Sequence, residues 1–300
     1  MNGTLAVSRY TLIELTRRRI LLVFFIVGAV GILLLGILFK IFSSTVANSV
    51  SIGSSGAPVD PEKASRFVQL SLISNLNGAV GLFALLIAFG IGMTVIYHDL
   101  DSGAAVAIFS KPVSRAAFAT GKVVAAVVAM VVIVGVLSVE ARLMMLLFSS
   151  SGLEGDLTLE AIAQVANAVL LMLLVMALST WMNNIVAVIV AFVYNVVSGI
   201  VVALYQSYQA GTLGHNDILN TSLTILYWLV PHKLVSGFAR AFVTAEFDIL
   251  NTNSGQGGPT REQLLASVPG GSGVGDILWW AFIVCVFAGL VYLAVRRRQV

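Results

Sequence analysis

Cysteine, histidine and charge are all scarce in this chain. The single cysteine, Cys285, has no partner within the chain, so no intrachain disulfide can staple the loops. The three histidines, His98, His215 and His232, come without a CxxC or HExxH pattern, and a closed metal site wants three or four ligands at suitable spacing. His215 and His232 therefore read as ordinary loop histidines, and no metal is expected. A P-loop is also missing, because Gly121-Lys122 has Ala116 where the first glycine is needed and Val123 where Ser or Thr would follow. Neither a serine nucleophile motif nor a dinucleotide-binding glycine fingerprint is present. Only 10% of the 300 residues are charged, and the formal charge of +3 does not imply nucleic-acid binding.

What is abundant is apolar surface, with 58% hydrophobic residues and a mean hydropathy of +0.98. Crossing a hydrocarbon core of about 30 Å takes about 20 apolar residues at about 1.5 Å each. Six runs meet that need, at 20–42, 76–97, 123–147, 162–182, 185–205 and 277–295. Alternation of the kind that builds a membrane β-barrel is missing, and an open sheet edge would leave backbone groups unpaired in lipid, so the expected fold is an all-α membrane bundle. Met182, Asn183 and Asn184 separate the fourth and fifth runs, which predicts an antiparallel hairpin.

Cations orient the bundle. Arg9, Arg17, Arg18 and Arg19 precede the first run, Lys111, Arg115 and Lys122 lie between the second and third, and Arg296, Arg297 and Arg298 follow the last. Six spans put all three groups on one side, which the positive-inside rule makes cytoplasmic, together with both termini. The first run exceeds a signal-peptide apolar core of about 7 to 15 residues, so it is expected to stay as an anchor. Ahead of it, Leu5, Ser8, Leu12 and Leu15 recur at helical spacing, which predicts an interfacial helix over 1–19 at the inner headgroups.

Charge, Gly and Pro interrupt the apolar pattern most clearly at 98–122, the expected cytoplasmic loop. Asp99 and Asp101 follow the membrane exit, Ser102-Gly103 offers a helix start, Ala104 to Phe109 is a short apolar stretch, and Pro112 breaks it. A short helix beside a cationic corner suits docking to another protein at the membrane surface.

The run Asp99-Leu100-Asp101-Ser102-Gly103-Ala104, then Phe109-Ser110-Lys111-Pro112-Val113-Ser114-Arg115, Phe118 and Gly121-Lys122, resembles the first inner loop of type-2 ABC transporter permeases. Ala104 stands where that family usually has Thr. The stretch Leu226 to Lys233, LYWLVPHK, is similar to a Leu-Pro-containing stretch of the multidrug, copper-processing and bacitracin-type branch. The resemblance implies a permease subunit in a prokaryotic plasma membrane, paired with a second copy or a sister permease, and export as the direction of transport. Separate ABC ATPase subunits would bind ATP and Mg, so this chain would carry no cofactor and no ATPase activity of its own. Residues 102–110, including Ala105 and Ile108, would form the coupling helix. Lys111, Pro112 and Arg115 would shape the return of the chain, with Arg115 reaching a carboxylate or a lipid headgroup, and Arg17, Arg18 and Arg19 would anchor the N-terminal helix.

Two other classes are weighed. A membrane anchor that passes ATPase motion to an extracytoplasmic partner would look the same in sequence, whereas an ion-coupled secondary transporter would usually show ionisable residues at mid-membrane depth. Glu140 and Arg142 sit near the outer end of the third span, two residues apart and so on different faces; Glu140 reads as a gating group or as a structural one. Gly273-Val274-Gly275-Asp276 matches the GxGD of intramembrane aspartyl proteases, but the topology puts Asp99 and Asp276 on opposite faces of the membrane, and a carboxylate dyad must share one site. Asp276 reads instead as the N-cap of the last span. The outer section 206–276 predicts two helices, at 219–230 and 234–247, lying on or dipping into the interface. Trp279 and Trp280 suit an aromatic belt, and Asn167, Asn183, Asn184 and Asn195 suit packing across helices.

Overall fold

A computed structural model describes residues 3–50, 61–98, 114–148, 154–209, 217–250, 262, 265, 268 and 270–297. Among them there is no strand. The helices are α1 (Gly3–Arg17), α2 (Arg19–Val50), α3 (Pro61–Thr94), α4 (Arg115–Phe148), α5 (Glu154–Ser179), α6 (Asn184–Gln209), α7 (Asp217–Leu229), α8 (Phe238–Leu250) and α9 (Val274–Arg297). Six of these, α2 to α6 and α9, are long and apolar enough to cross a membrane, the build of a multi-pass membrane protein.

Most helix ends lie outside the apolar runs, although α3 stops at Thr94 and α5 at Ser179, three residues inside theirs. α3 begins at Pro61, a residue suited to the first helical turn because its missing N–H would have no partner there. α4 begins at Arg115 rather than 123, since Ser114 caps it: its Oγ accepts the Ala117 N–H at 3.1 Å and its carbonyl accepts the Phe118 N–H at 3.0 Å. The loop before α4 is shorter by two helical turns as a result. Asn183 caps α6 in the same way, accepting the Ile185 N–H at 3.0 Å, which makes 180–183 the tight turn of the α5–α6 hairpin.

α3 lies at the centre, packed by α2, α4, α5 and α8, and α9 closes against α4 and α5. Fully buried Leu76, Ile87, Ile91, Met130, Leu137 and Met172 form the shared core. At Gly92 a Cβ would lie 2.7 Å from Val175 Cβ and 2.9 Å from the Met172 carbonyl, so α3 and α5 meet backbone to backbone. The outer faces of α2 and α6 expose Val23, Val27, Val30, Ile185, Ile189 and Phe192. Such surface suits a lipid solvent and would associate in water.

Candidate functional site

Nine of the ten residues expected to dock an ATPase lie in or beside the central loop and outside the described residues: Asp99, Asp101, Ser102, Gly103, Ala105, Ile108, Phe109, Lys111 and Pro112. The tenth, Arg115, donates from Nη1 to the Arg296 carbonyl at 3.0 Å, tying the start of α4 to the last turn of α9. This contact puts a cation at the negative end of the α9 dipole.

Immediately beyond lies the junction of α1 and α4. Lys122 has a fully buried side chain, and its Nζ is 3.2 Å from Glu14 Oε2 and about 6 Å from the ring centres of Tyr10 and Phe118. Glu14 also accepts a hydrogen bond from Arg18 one helical turn away. Burial raises the Glu14 carboxyl, but the Lys122 charge and the Arg18 hydrogen bond and charge outweigh it and hold the group below the ordinary carboxylate value. Gly121 makes the approach possible, because a Cβ there would meet Val7 Cβ at 2.8 Å and the Thr4 carbonyl at 2.9 Å. Of the three N-terminal arginines, Arg18 turns to Glu14, while Arg17 and Arg19 are exposed.

A second polar assembly holds the far end. Residues 231–236, between α7 and α8, run without helical or strand bonding and are threaded between α5, α6 and the start of α9. The Pro231 carbonyl and the backbone groups of Leu234 and Val235 are bonded from outside the segment. Asn167 pairs with Leu234 in both directions at 2.8 Å, and Ser272 pairs with Val235 through its Oγ at 2.8 Å and its N–H at 2.7 Å. The Pro231 carbonyl accepts from Tyr194 and, at 3.2 Å, from Ser198. Such pairing is what makes irregular backbone tolerable within an apolar bundle.

Asp276 is not the N-cap expected of it. It is the third residue of α9, and its Oδ2 reaches back to the Gly273 N–H at 2.8 Å, the reciprocal half of a capping box. Its Oδ1 accepts the Tyr227 hydroxyl at 2.9 Å and lies 3.2 Å from His232 Nε2. His232, 1% exposed, stacks on Tyr227 at 3.9 Å and places Nδ1 3.0 Å from the Tyr227 carbonyl. Burial, with Asp276 adding to it, raises the Tyr227 hydroxyl well above its ordinary value. His215 lies outside the described residues; among those described, no group of three or more His, Cys, Asp or Glu is placed to hold a metal.

Two cavities adjoin these polar contacts. An apolar slot of about 540 Å³ runs along α4 and α5, with Arg142 and Trp280 among its lining residues. Arg142 donates to Thr158 Oγ1 at 2.8 Å, and Glu140 makes no ion pair among the described residues. The other cavity, about 480 Å³, is a chamber of mixed lining, with Asn77, Glu160, Gln164 and Lys233 facing Leu82, Leu85, Leu171 and Phe238. Gln164 donates to Asn77 Oδ1 at 2.9 Å and to Glu160 Oε1 at 3.2 Å, and Ser236 donates to the other Glu160 oxygen. Burial lowers the Lys233 ammonium below its ordinary value. Volumes of about 300–1,000 Å³ are those of small-molecule sites. Neither cavity was legible in the sequence, where Lys233 was one cation in a mixed outer segment.

No protein-family model matches the sequence, and no curated protein matches it.

Proposed function

We propose that the chain is the membrane-spanning permease subunit of a type-2 ABC exporter, working with separate ATPase subunits that bind ATP and Mg and with a second permease copy or a sister permease. The supporting observation is the ordered motif from Asp99 to Lys122. Four of its members have positions consistent with force transmission: Ser114 starts α4, Arg115 ties α4 to α9, and Gly121 and Lys122 clamp α1 to α4. A push on the loop would then move α1, α4 and α9 together, because all three meet at its return point.

In this reading the loop and both termini face the cytoplasm of a prokaryotic cell, α1 lies along the inner headgroups with Arg17 and Arg19 toward them, and 102–110 is the coupling helix. The chamber belongs to the outer half of the membrane, and the slot, lined on α4 from Val127 to Met145, runs from there past the midplane. Lys122 and Arg142 are about twenty residues apart on α4, a rise of about 30 Å.

The test is copurification of the ABC ATPase encoded beside this chain with wild type and with a variant carrying Ala105→Asp and Ile108→Asp. Loss of the ATPase from a normally inserted variant supports the reading. Absence of any ATPase with wild type, or undiminished capture by the variant, overturns it in favour of a secondary transporter or a different docking surface.

A further inference from the structure

The chamber among α3, α5, α6 and α8 is lined by two half-buried groups of opposite charge type that do not pair. Lys233 and Glu160 both border it, no ion pair joins them, and Lys233 makes no hydrogen bond or ion pair among the described residues. Both Glu160 oxygens accept hydrogen bonds, from Gln164 and Ser236, which leaves a carboxylate with lone pairs to spare and no cation paired with it among the described residues. Charges withdrawn from water are ordinarily paired. A ligand with a single charge would compensate one of these groups and leave the other as it is, whereas a ligand with one charge of each sign compensates both.

The threaded segment fixes where the two groups stand. Asn167 holds Leu234 in both directions at 2.8 Å, and Tyr194 and Ser198 hold the Pro231 carbonyl, so the backbone is clamped on either side of Lys233. Three residues further on, Ser236 donates to Glu160. One strap of irregular backbone therefore carries the cation and orients the anion, and a site set in place before its ligand arrives has less ordering to do on binding.

Much of the remaining wall is apolar, with Leu82, Leu85, Leu171 and Phe238. Glycines on α3 leave the space open: a Cβ added at Gly78 would meet nothing within 4 Å, and one at Gly81 would meet only Gln164 Nε2, at 3.9 Å. Ser74, Gly78 and Leu82 recur every four residues on one face of α3 and are exposed, which makes that face the mouth of the chamber.

We propose that the chamber binds a small zwitterion with an apolar group, its acid group on Lys233, its ammonium on Glu160 and its apolar part against Leu171 and Phe238. A free α-amino acid with a large apolar side chain carries that chemistry, and so does the phosphoethanolamine head of a lipid. As cargo recognition the assignment rests on the transport reading above; as binding it stands apart from any ATPase.

Purified full-length chain would be titrated calorimetrically with phenylalanine, with 3-phenylpropionate, which lacks the ammonium, and with phenethylamine, which lacks the carboxylate. Lysophosphatidylethanolamine and lysophosphatidate form the corresponding lipid pair. In one of the two sets the zwitterion is expected to bind at least about tenfold more tightly than its singly charged analogues, a discrimination of about 1.4 kcal/mol. A preference for phenylalanine identifies a free solute, and one for lysophosphatidylethanolamine identifies a headgroup. Lys233→Gln is expected to weaken the preferred zwitterion at least about tenfold and Lys233→Arg to keep it. Glu160→Gln is expected to erase its advantage over the analogue without an ammonium, and Gly81→Leu to weaken binding by filling the chamber. Zwitterions that bind no more tightly than their analogues in both sets, full affinity in Lys233→Gln, or an undiminished advantage in Glu160→Gln overturns the proposal. Should Glu160→Gln fail to fold, the Lys233 pair decides alone. Failure here with intact ATPase copurification removes the site and leaves the permease reading standing; zwitterion binding without ATPase capture does the reverse.

Discussion

Lys122 on α4 reaches back 108 residues to Glu14 on α1, with Nζ 3.2 Å from the carboxylate and no exposed surface on the lysine side chain. Breaking a buried pair strands a charge, whereas replacing both members removes the desolvation cost as well as the attraction. Glu14→Leu is expected to destabilise the protein by about 3 kcal/mol and the double variant with Lys122→Met by much less. Thermal unfolding in detergent across the double-mutant cycle measures the difference. Additive losses would show that the two residues act independently.

Acid should loosen the same junction. The folded-state value of Glu14 lies below its ordinary value of 4.5, so its stabilisation is fully present above about that pH and is lost as pH falls through the depressed value. Hydrogen exchange of α1 amides is expected to accelerate in that acid window and the acceleration to be absent from Glu14→Gln. Equal acid sensitivity in the two proteins would assign the effect to another group.

Gly121 and Gly199 offer a paired test of close approach. A methyl group at 121 must displace the α1 backbone, since the Thr4 carbonyl lies 2.9 Å from it, and overpacking of this kind costs about 1–3 kcal/mol. At Gly199 on α6 nothing lies within 4 Å, so alanine is expected to be neutral or to stabilise by about 0.5–1 kcal/mol through helix propensity. The contrast would be read from thermal unfolding of the two single variants.

Asp276 meets the Tyr227 hydroxyl, the Gly273 N–H and His232 Nε2, so graded substitutions should give graded losses. Tyr227→Phe removes one neutral hydrogen bond and is expected to cost about 1 kcal/mol; Asp276→Ala also strips the cap of α9 and the partner of His232, and is expected to cost about 3 kcal/mol. Matching losses from the two variants in denaturant unfolding would mean that the hydroxyl bond alone matters.

Lys233 is expected to carry the opposite sign. Its ammonium is held below the ordinary value of 10.5 by burial, so the folded state bears a cost at neutral pH that is relieved as pH rises from the lowered value toward 10.5. Lys233→Met should therefore stabilise the ligand-free protein by about 1 kcal/mol at neutral pH, with the advantage shrinking in alkaline buffer. A variant less stable than wild type at neutral pH would refute this account.

The six apolar helices were legible in the sequence because lipid demands long uninterrupted runs, and that demand is local. Their ends were not, since α3 and α4 continue through polar residues that the hydropathy signal leaves out. The cap at Ser114 could have been found from its place just ahead of a helical run. Lys122 read as a topology charge, because nothing within reach of it in sequence announces Glu14. The segment 231–236 was harder still: PHKLVS looks like an interfacial turn until Asn167 and Tyr194, unremarkable polar residues in their helices, and Ser272, just before α9, are brought around it.

That segment has a consequence for how the protein is made. Its backbone bonds to α5, α6 and Ser272 just before α9, and to no repeating structure of its own. Its partners on α5 and α6 are made before it, but the Val235 pair cannot form until Ser272 has been synthesised, which leaves those two backbone groups dependent on water or on the insertion machinery until then. Truncation before α9 would strand this stretch, and membrane quality control would meet the nascent chain there first.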